Sequence, residues 1–237
     1  WTKAWSGEAL YRIVYDKLNK SADNKRTIAQ TPRAALTWTA PRELGIFQDL
    51  YARIFGEMRS RSSQDDPTGQ IDFLSHDVGV ENEFTVKKMT FSSGYTLRGE
   101  DDDLSKTNDR MVHSGYAGVR WRYKIGEMLA RPFLKYSFDY EDRPKEGGRD
   151  LTQRIGPGFD LDVNDRLRIE QLYSVETGSR LAHDSDTVRF NAYIALDYKI
   201  DDNRSLRFSA EHIDFVHPQA TERFKETNIE ARFTWRF

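Results

Sequence analysis

The sequence has no cysteine, which excludes disulfide staples and thiolate metal sites. No run approaches 18 apolar residues, so no helix can cross a membrane. A sustained helical period of 3.6 is missing as well. Hydrophobic residues make up 38% against 31% charged, which would leave an ordinary water-soluble β-sandwich with a thin core. Charge of one sign is not in excess: the formal net charge is −2, so total charge names no partner, and no nucleic-acid partner is expected. The histidines are scattered without metal-ligand spacing. The chain opens on Trp1 with no charged-then-apolar leader, which reads as a mature form whose targeting segment has been removed. Aromatic side chains, by contrast, are plentiful at 13%, too many for a disordered polyampholyte.

These aromatics fall in a strict rhythm. In "RPFLKYSFDYE", Arg131 to Glu141, the even positions are Pro132, Leu134, Tyr136, Phe138 and Tyr140, while Arg131, Lys135, Ser137, Asp139 and Glu141 are among the odd ones. Alternate residues of a strand point to opposite faces, so this segment has one apolar and one charged side. The pattern recurs. Ala117, Val119, Trp121, Tyr123 and Ile125 oppose Arg120, Arg122 and Lys124. Val188, Phe190, Ala192, Ile194, Leu196 and Tyr198 oppose Arg189, Asn191, Asp197 and Lys199. In the closing segment, Ile229, Ala231, Phe233, Trp235 and Phe237 oppose Glu230, Arg232 and Arg236. A segment around Leu74 to Phe84 is poorly phased and carries His76 on its apolar side.

About twelve strands result, an even number as single-chain outer-membrane barrels require. The connectors alternate in length: 39–44, 124–127, 163–166 and 200–204 are short, while 16–30, 60–70, 99–109, 141–150, 177–186 and 217–226 are long and polar. A lumen of twelve strands is too wide to be filled by so many apolar faces. Trp38, Tyr123, Tyr140, Tyr198 and Trp235 sit near strand ends, as an interfacial girdle would. The expected fold is therefore all-β, a transmembrane antiparallel up-and-down β-barrel of about 12 strands, formed by a single domain over 1–237 in the bacterial outer membrane.

With the apolar side in lipid, the charged side lines a pore. The candidate pore-lining and substrate-binding residues are Arg12, Arg33, Arg53, Arg98, Arg110, Arg120, Arg122, Arg131, Lys135, Arg154, Arg168, Arg189, Arg207 and Arg232. Glu57, Asp139, Asp160, Glu170, Asp197, Glu211 and Glu230 share that side, whereas Asp65, Asp66 and Asp101 to Asp103 fall in connectors. The lumen is thus basic on balance. Guanidinium rows favour anions and offer a rigid fork to carboxylates, although any one arginine can also pair across strands and simply fill the lumen.

The strand count, the terminal "FTWRF" ending in Phe237 and the Arg-rich lumen together resemble the KdgM-type family of small monomeric outer-membrane porins for acidic oligosaccharides. The resemblance spans the whole chain and rests on architecture and lumen charge. It implies passive diffusion of an anionic saccharide through a monomer, without enzymatic activity or cofactor, among outer-membrane lipid and lipopolysaccharide. Two other readings stay open. An outer-membrane lipid hydrolase, of phospholipase or lipid-A deacylase type, would need a His–Ser pair. His113 and Ser114 are adjacent in "MVHSGYAG" and so face opposite ways, and Ser92 or Ser93 would have to be brought to His113 by strand alignment. The barrel part of an export system is the other.

Overall fold

A computed structural model describes residues 4–20, 23–40, 46–63, 71–102, 109–144, 148–180, 185–217 and 222–235. They form thirteen strands and, among the described residues, no helix: β1 (Trp5–Lys20), β2 (Asp23–Thr39), β3 (Phe47–Ser63), β4 (Ile71–Val86), β5 (Met89–Asp102), β6 (Arg110–Trp121), β7 (Tyr123–Ile125), β8 (Met128–Arg143), β9 (Gly148–Asp162), β10 (Leu167–Arg180), β11 (Ser185–Lys199), β12 (Arg204–His217) and β13 (Glu222–Trp235). Each strand pairs with its sequence neighbour from β1 through β6, then β8 to β13, with β7 on β8. This is the all-β, antiparallel up-and-down succession of a barrel, as the alternation implies.

The expected twelve strands become thirteen through one break. β7 pairs with β8 in the register Tyr123↔Ala130. Stepping that register back two residues sets Trp121 opposite Pro132, which has no N–H to give the ladder. The rung is lost at Arg122, whose own N–H donates instead to the Lys88 carbonyl at 2.8 Å. β6 and β7 are therefore two pieces of one strand.

Two compact units organise the contacts. The first comprises Trp1–Phe84, Ser93–Gly115 and Asp139–Asp150; the second comprises Thr85–Ser92, Tyr116–Phe138 and Leu151–Phe237. In the first, Trp5↔Trp38, Leu36↔Ile54 and Trp38↔Ala52 lie on one side of the sheet, with Arg12↔Thr31, Thr37↔Arg53 and Arg33↔Glu57 on the other. In the second, Leu196↔Phe208, Ile194↔Ala210 and Leu206↔Phe233 oppose Arg168↔Asp197, Asp197↔Arg207 and Arg207↔Arg232. Each unit has an apolar and a polar face, as read from the alternation.

The apolar face is bare. Among the described residues the buried apolar side chains are Ala35, Ala195 and Ile213, and no large side chain is fully buried. Meanwhile Ile229 is 82% and Trp5 63% exposed. At about 25 cal/mol per Å², leaving such a surface in water forfeits the main driving force of folding. The sheet is held by its backbone ladder, and its apolar side needs a non-aqueous neighbour.

The connectors depart from expectation in extent. The stretch 16–30 reads as a loop, yet Asp16↔Thr27 through Lys20↔Asp23 continue the β1–β2 ladder. Likewise β3 runs on to Ser63, β10 to Arg180 and β12 to His217. Backbone pairing does not depend on side-chain alternation, so the ladder continues where the sequence pattern stops. Asp65, Asp66, Asp103, His183 and Phe237 lie outside the described residues.

Two of the short turns are closed by acceptor side chains. Asn164 accepts from the N–H groups of Arg166 and Leu167, both at 2.9 Å. Asp201 accepts from the N–H groups of Asn203 and Arg204 at 3.0 and 2.8 Å, and from Arg204 Nε at 2.7 Å. The Arg204 guanidinium, followed by these backbone donors, holds the exposed Asp201 carboxyl below the ordinary carboxylate range. A lowered folded pKa means the turn's stabilisation is present above the unfolded value and lost as pH falls through the folded one. Carboxyl NMR should find Asp201 titrating below an ordinary aspartate, and Arg204→Gln should move it back up; an unmoved titration would contradict this arrangement.

Candidate functional site: the cationic face

All fourteen candidate cations fall on the polar face of their unit, and they divide into two classes. Eight are ion-paired. In the first unit, Arg53 reaches Glu8 on β1 and Glu81 on β4, each at 3.8 Å. Arg98 grips Asp77 through two bonds, Nε–Oδ1 at 2.8 Å and Nη2–Oδ2 at 3.1 Å. Arg110 binds Glu100 at 2.5 Å and approaches Glu141 at 3.7 Å.

In the second unit, Arg131 pairs with Asp162, and Arg154 donates through Nε to Glu176 at 2.8 Å. Arg168 lies 3.0 Å from Glu170 and 3.4 Å from Asp160. Arg207 is a hub, donating to Asp197 at 2.7 Å, Glu170 at 2.9 Å and the Tyr193 hydroxyl at 2.7 Å. Arg232 binds Glu230 on its own strand at 2.7 Å. Such pairs cancel charge locally and fix the wall.

The other six have no carboxylate within ion-pair reach among the described residues. Arg12 stands opposite Thr31, and Arg33 lies between Leu10 and Glu57, whose carboxylate is taken by Arg59 at 2.5 Å. Arg189 is opposite Glu176, already bound to Arg154, and Phe215. Arg120, Arg122 and Lys135 belong to the paired strands β6 and β8 and their break. Arg120 lies over the Phe133 ring at 5.6 Å and Lys135 over the Tyr116 ring at 5.5 Å. The rings hold these cations without neutralising them, and the edge donors of Arg120 stay available.

Near the turns of the second unit lies a cavity of about 930 Å³ that includes Arg122. Its lining cations Lys87, Lys88, Lys124 and Arg166 likewise have no acid partner among the described residues. Its acids Asp162, Asp197, Asp201 and Asp202 are occupied by Arg131, Arg207, Arg204 and Lys199. Glu127 and Asp165 are left to balance five cations, so the cavity is locally positive. The candidate set read from the sequence left out Lys87 and Lys124, although Lys124 shares the charged side with Arg122 and the Lys87–Lys88 dipeptide forms the turn between β4 and β5, where Lys87 takes a left-handed backbone at a φ of 57°. It also missed Phe133, a ring among the charged positions of its strand.

His113 lies on the apolar face, where its Nδ1 meets the Tyr95 hydroxyl at 2.5 Å and its ring lies 5.8 Å from Tyr140. Ser114 turns to the polar face and donates to Asp139 at 2.5 Å. Ser93 donates to Asn82 at 3.0 Å, and Ser92 is near Gly118. The two neighbours in "MVHSGYAG" are separated by the sheet.

No family model matches the chain, and no curated protein matches it. Among solved structures it is similar to the anion-selective porin from Comamonas acidovorans, at 11% identity and a TM-score of 0.48, over 98% of this chain and 100% of that one. It is similar to OmpT, an outer membrane protein of Vibrio cholerae, at 10% and 0.49 over 99% and 98% of the two chains. A third is the COG4313 outer membrane channel from Pseudomonas putida F1, at 8% and 0.47 over 98% and 93%.

Proposed function

We propose that the chain is a bacterial outer-membrane channel, a single barrel domain over 1–237, that passes anionic solutes by passive diffusion, with acidic oligosaccharides as the substrate class. One observation carries the reading: Arg120, Arg122 and Lys135 stand without carboxylate partners among the described residues, on the polar side of a sheet whose other side exposes its apolar residues. An apolar side open to its surroundings suits hydrocarbon, which leaves the polar side to water. Fixed charges along a water-filled path enrich counter-ions and repel co-ions. The ion-paired arginines shape the wall, and the unpaired ones select. A guanidinium seated on an aromatic ring keeps a planar fork of donors for a uronate-like carboxylate.

Reversal potentials in a salt gradient across a planar bilayer test this. The expected result is a steady conductance with anion preference. A cation-selective pore removes the anionic-solute reading, and a closed barrel with ester hydrolysis replaces it with the lipid-hydrolase one.

A further inference from the structure

We propose that the apolar face of the second unit holds one phosphorylated, acylated lipid of the outer leaflet. The proposal rests on that face meeting membrane, as in the channel reading. Two independent features coincide there.

The first is a groove of about 480 Å³, lined by Leu134, Ile155, Tyr173, Phe190 and Ala192 and ended by His212. Its wall is almost wholly apolar, and its size is that of a small-molecule site. An acyl chain is the ligand that suits it.

The second is a charged cluster beyond His212 on the same face. His212 is opposite Thr227, with their side chains 2.8 Å apart. The next apolar-side pair along the strands is Asp214↔Lys225, then Val216↔Arg223. At about 3.3 Å per residue these lie roughly 7 and 13 Å past the groove's end. Arg223 Nε donates to Asp214 at 3.0 Å and Lys225 approaches it at 3.6 Å, so two cations share one carboxylate. Asp214 is 16% exposed, while Arg223 and Lys225 are 58% and 54% exposed.

Among the described residues one positive charge therefore remains uncompensated, at the end of the apolar side where the strands pass from hydrocarbon to water. That is the depth of the lipid headgroups, and cations there attract anionic ones. A lipid phosphate, charge-assisted by both side chains, supplies the anion, and its chain fills the groove. β12 and β13 run on into the polar stretch 217–226, one of the polar set that in outer-membrane barrels faces outside, where phosphorylated glycolipid forms the leaflet.

The test uses the full chain refolded in detergent, with native mass spectrometry reading retained lipid. Diphosphoryl lipid A should be held as one molecule per chain, about tenfold more tightly than its dephosphorylated form. Arg223→Gln with Lys225→Gln, and separately Ala192→Trp, which fills the groove and leaves the charges, should each weaken retention about tenfold. Equal retention of the two lipids, retention untouched by both variants, or displacement by inorganic phosphate alone would overturn the proposal. A chain with no heat-modifiable fold in detergent fails the channel reading before lipid is added. A folded, conducting chain that keeps no lipid A fails this proposal alone.

Discussion

Replacing Arg120, Arg122 and Lys135 together by glutamine is expected to lower the anion-to-cation permeability ratio about 5- to 20-fold at low salt, leaving conductance and folding intact. In water a unit charge about 7 Å from a passing ion is worth about 0.6 kcal/mol, close to one RT, and three such charges compound before salt screens them. Their removal breaks no ion pair among the described residues, where Arg120 and Lys135 meet the Phe133 and Tyr116 rings. The comparison is Arg98→Gln, which releases Asp77 from a two-bond pair and should cost stability while shifting selectivity less. Equal effects on selectivity from the two variants would show that pairing does not decide which arginines act on the solute.

A second large effect is structural. Gly158→Val should abolish or severely reduce the heat-modifiable folded form, at a cost of about 3 kcal/mol or more. A Cβ there would meet the Phe133 ring at 2.5 Å and the Gln171 carbonyl oxygen at 2.6 Å. The ring can turn away, but the carbonyl belongs to the neighbouring strand and moves only with it. Truncating Phe133 should therefore fail to rescue Gly158→Val. At Gly79 the three nearest obstructions are all atoms of the Phe55 ring, so Phe55→Ala should rescue Gly79→Ala. Gly148→Ala, with nothing within 4 Å, is the neutral control. Gel mobility before and after heating, with urea midpoints, reads all of these.

The two faces were legible in the sequence because a period of two is a property of single strands. Arg131 through Tyr140 shows it without any knowledge of partners. Strand ends were not legible, since beyond the apolar band the ladder continues with no pattern to mark it, as between Asp16 and Lys20. Nor was the division of the arginines. Arg207 and Glu170 are 37 residues apart, and only strand order and register bring them together. The unpaired set emerges only once the acids are assigned to partners. The Asp214 cluster escaped for a related reason: Arg223 and Lys225 follow a polar connector and read as part of it, whereas the register puts them on the apolar side.

What each face touches can be probed at one depth, at residues 228 and 229. Ile229 is on the apolar side of β13, opposite Ala210, and Asn228 on the polar side, opposite Glu211. The chain has no cysteine, so a single Cys at either position carries one fluorescent label without background. In bilayers, the label at 229 should be quenched by nitroxide lipid and spared by aqueous iodide, with the reverse at 228. Iodide quenching at 229 on a chain that stays dissolved without detergent would contradict the account.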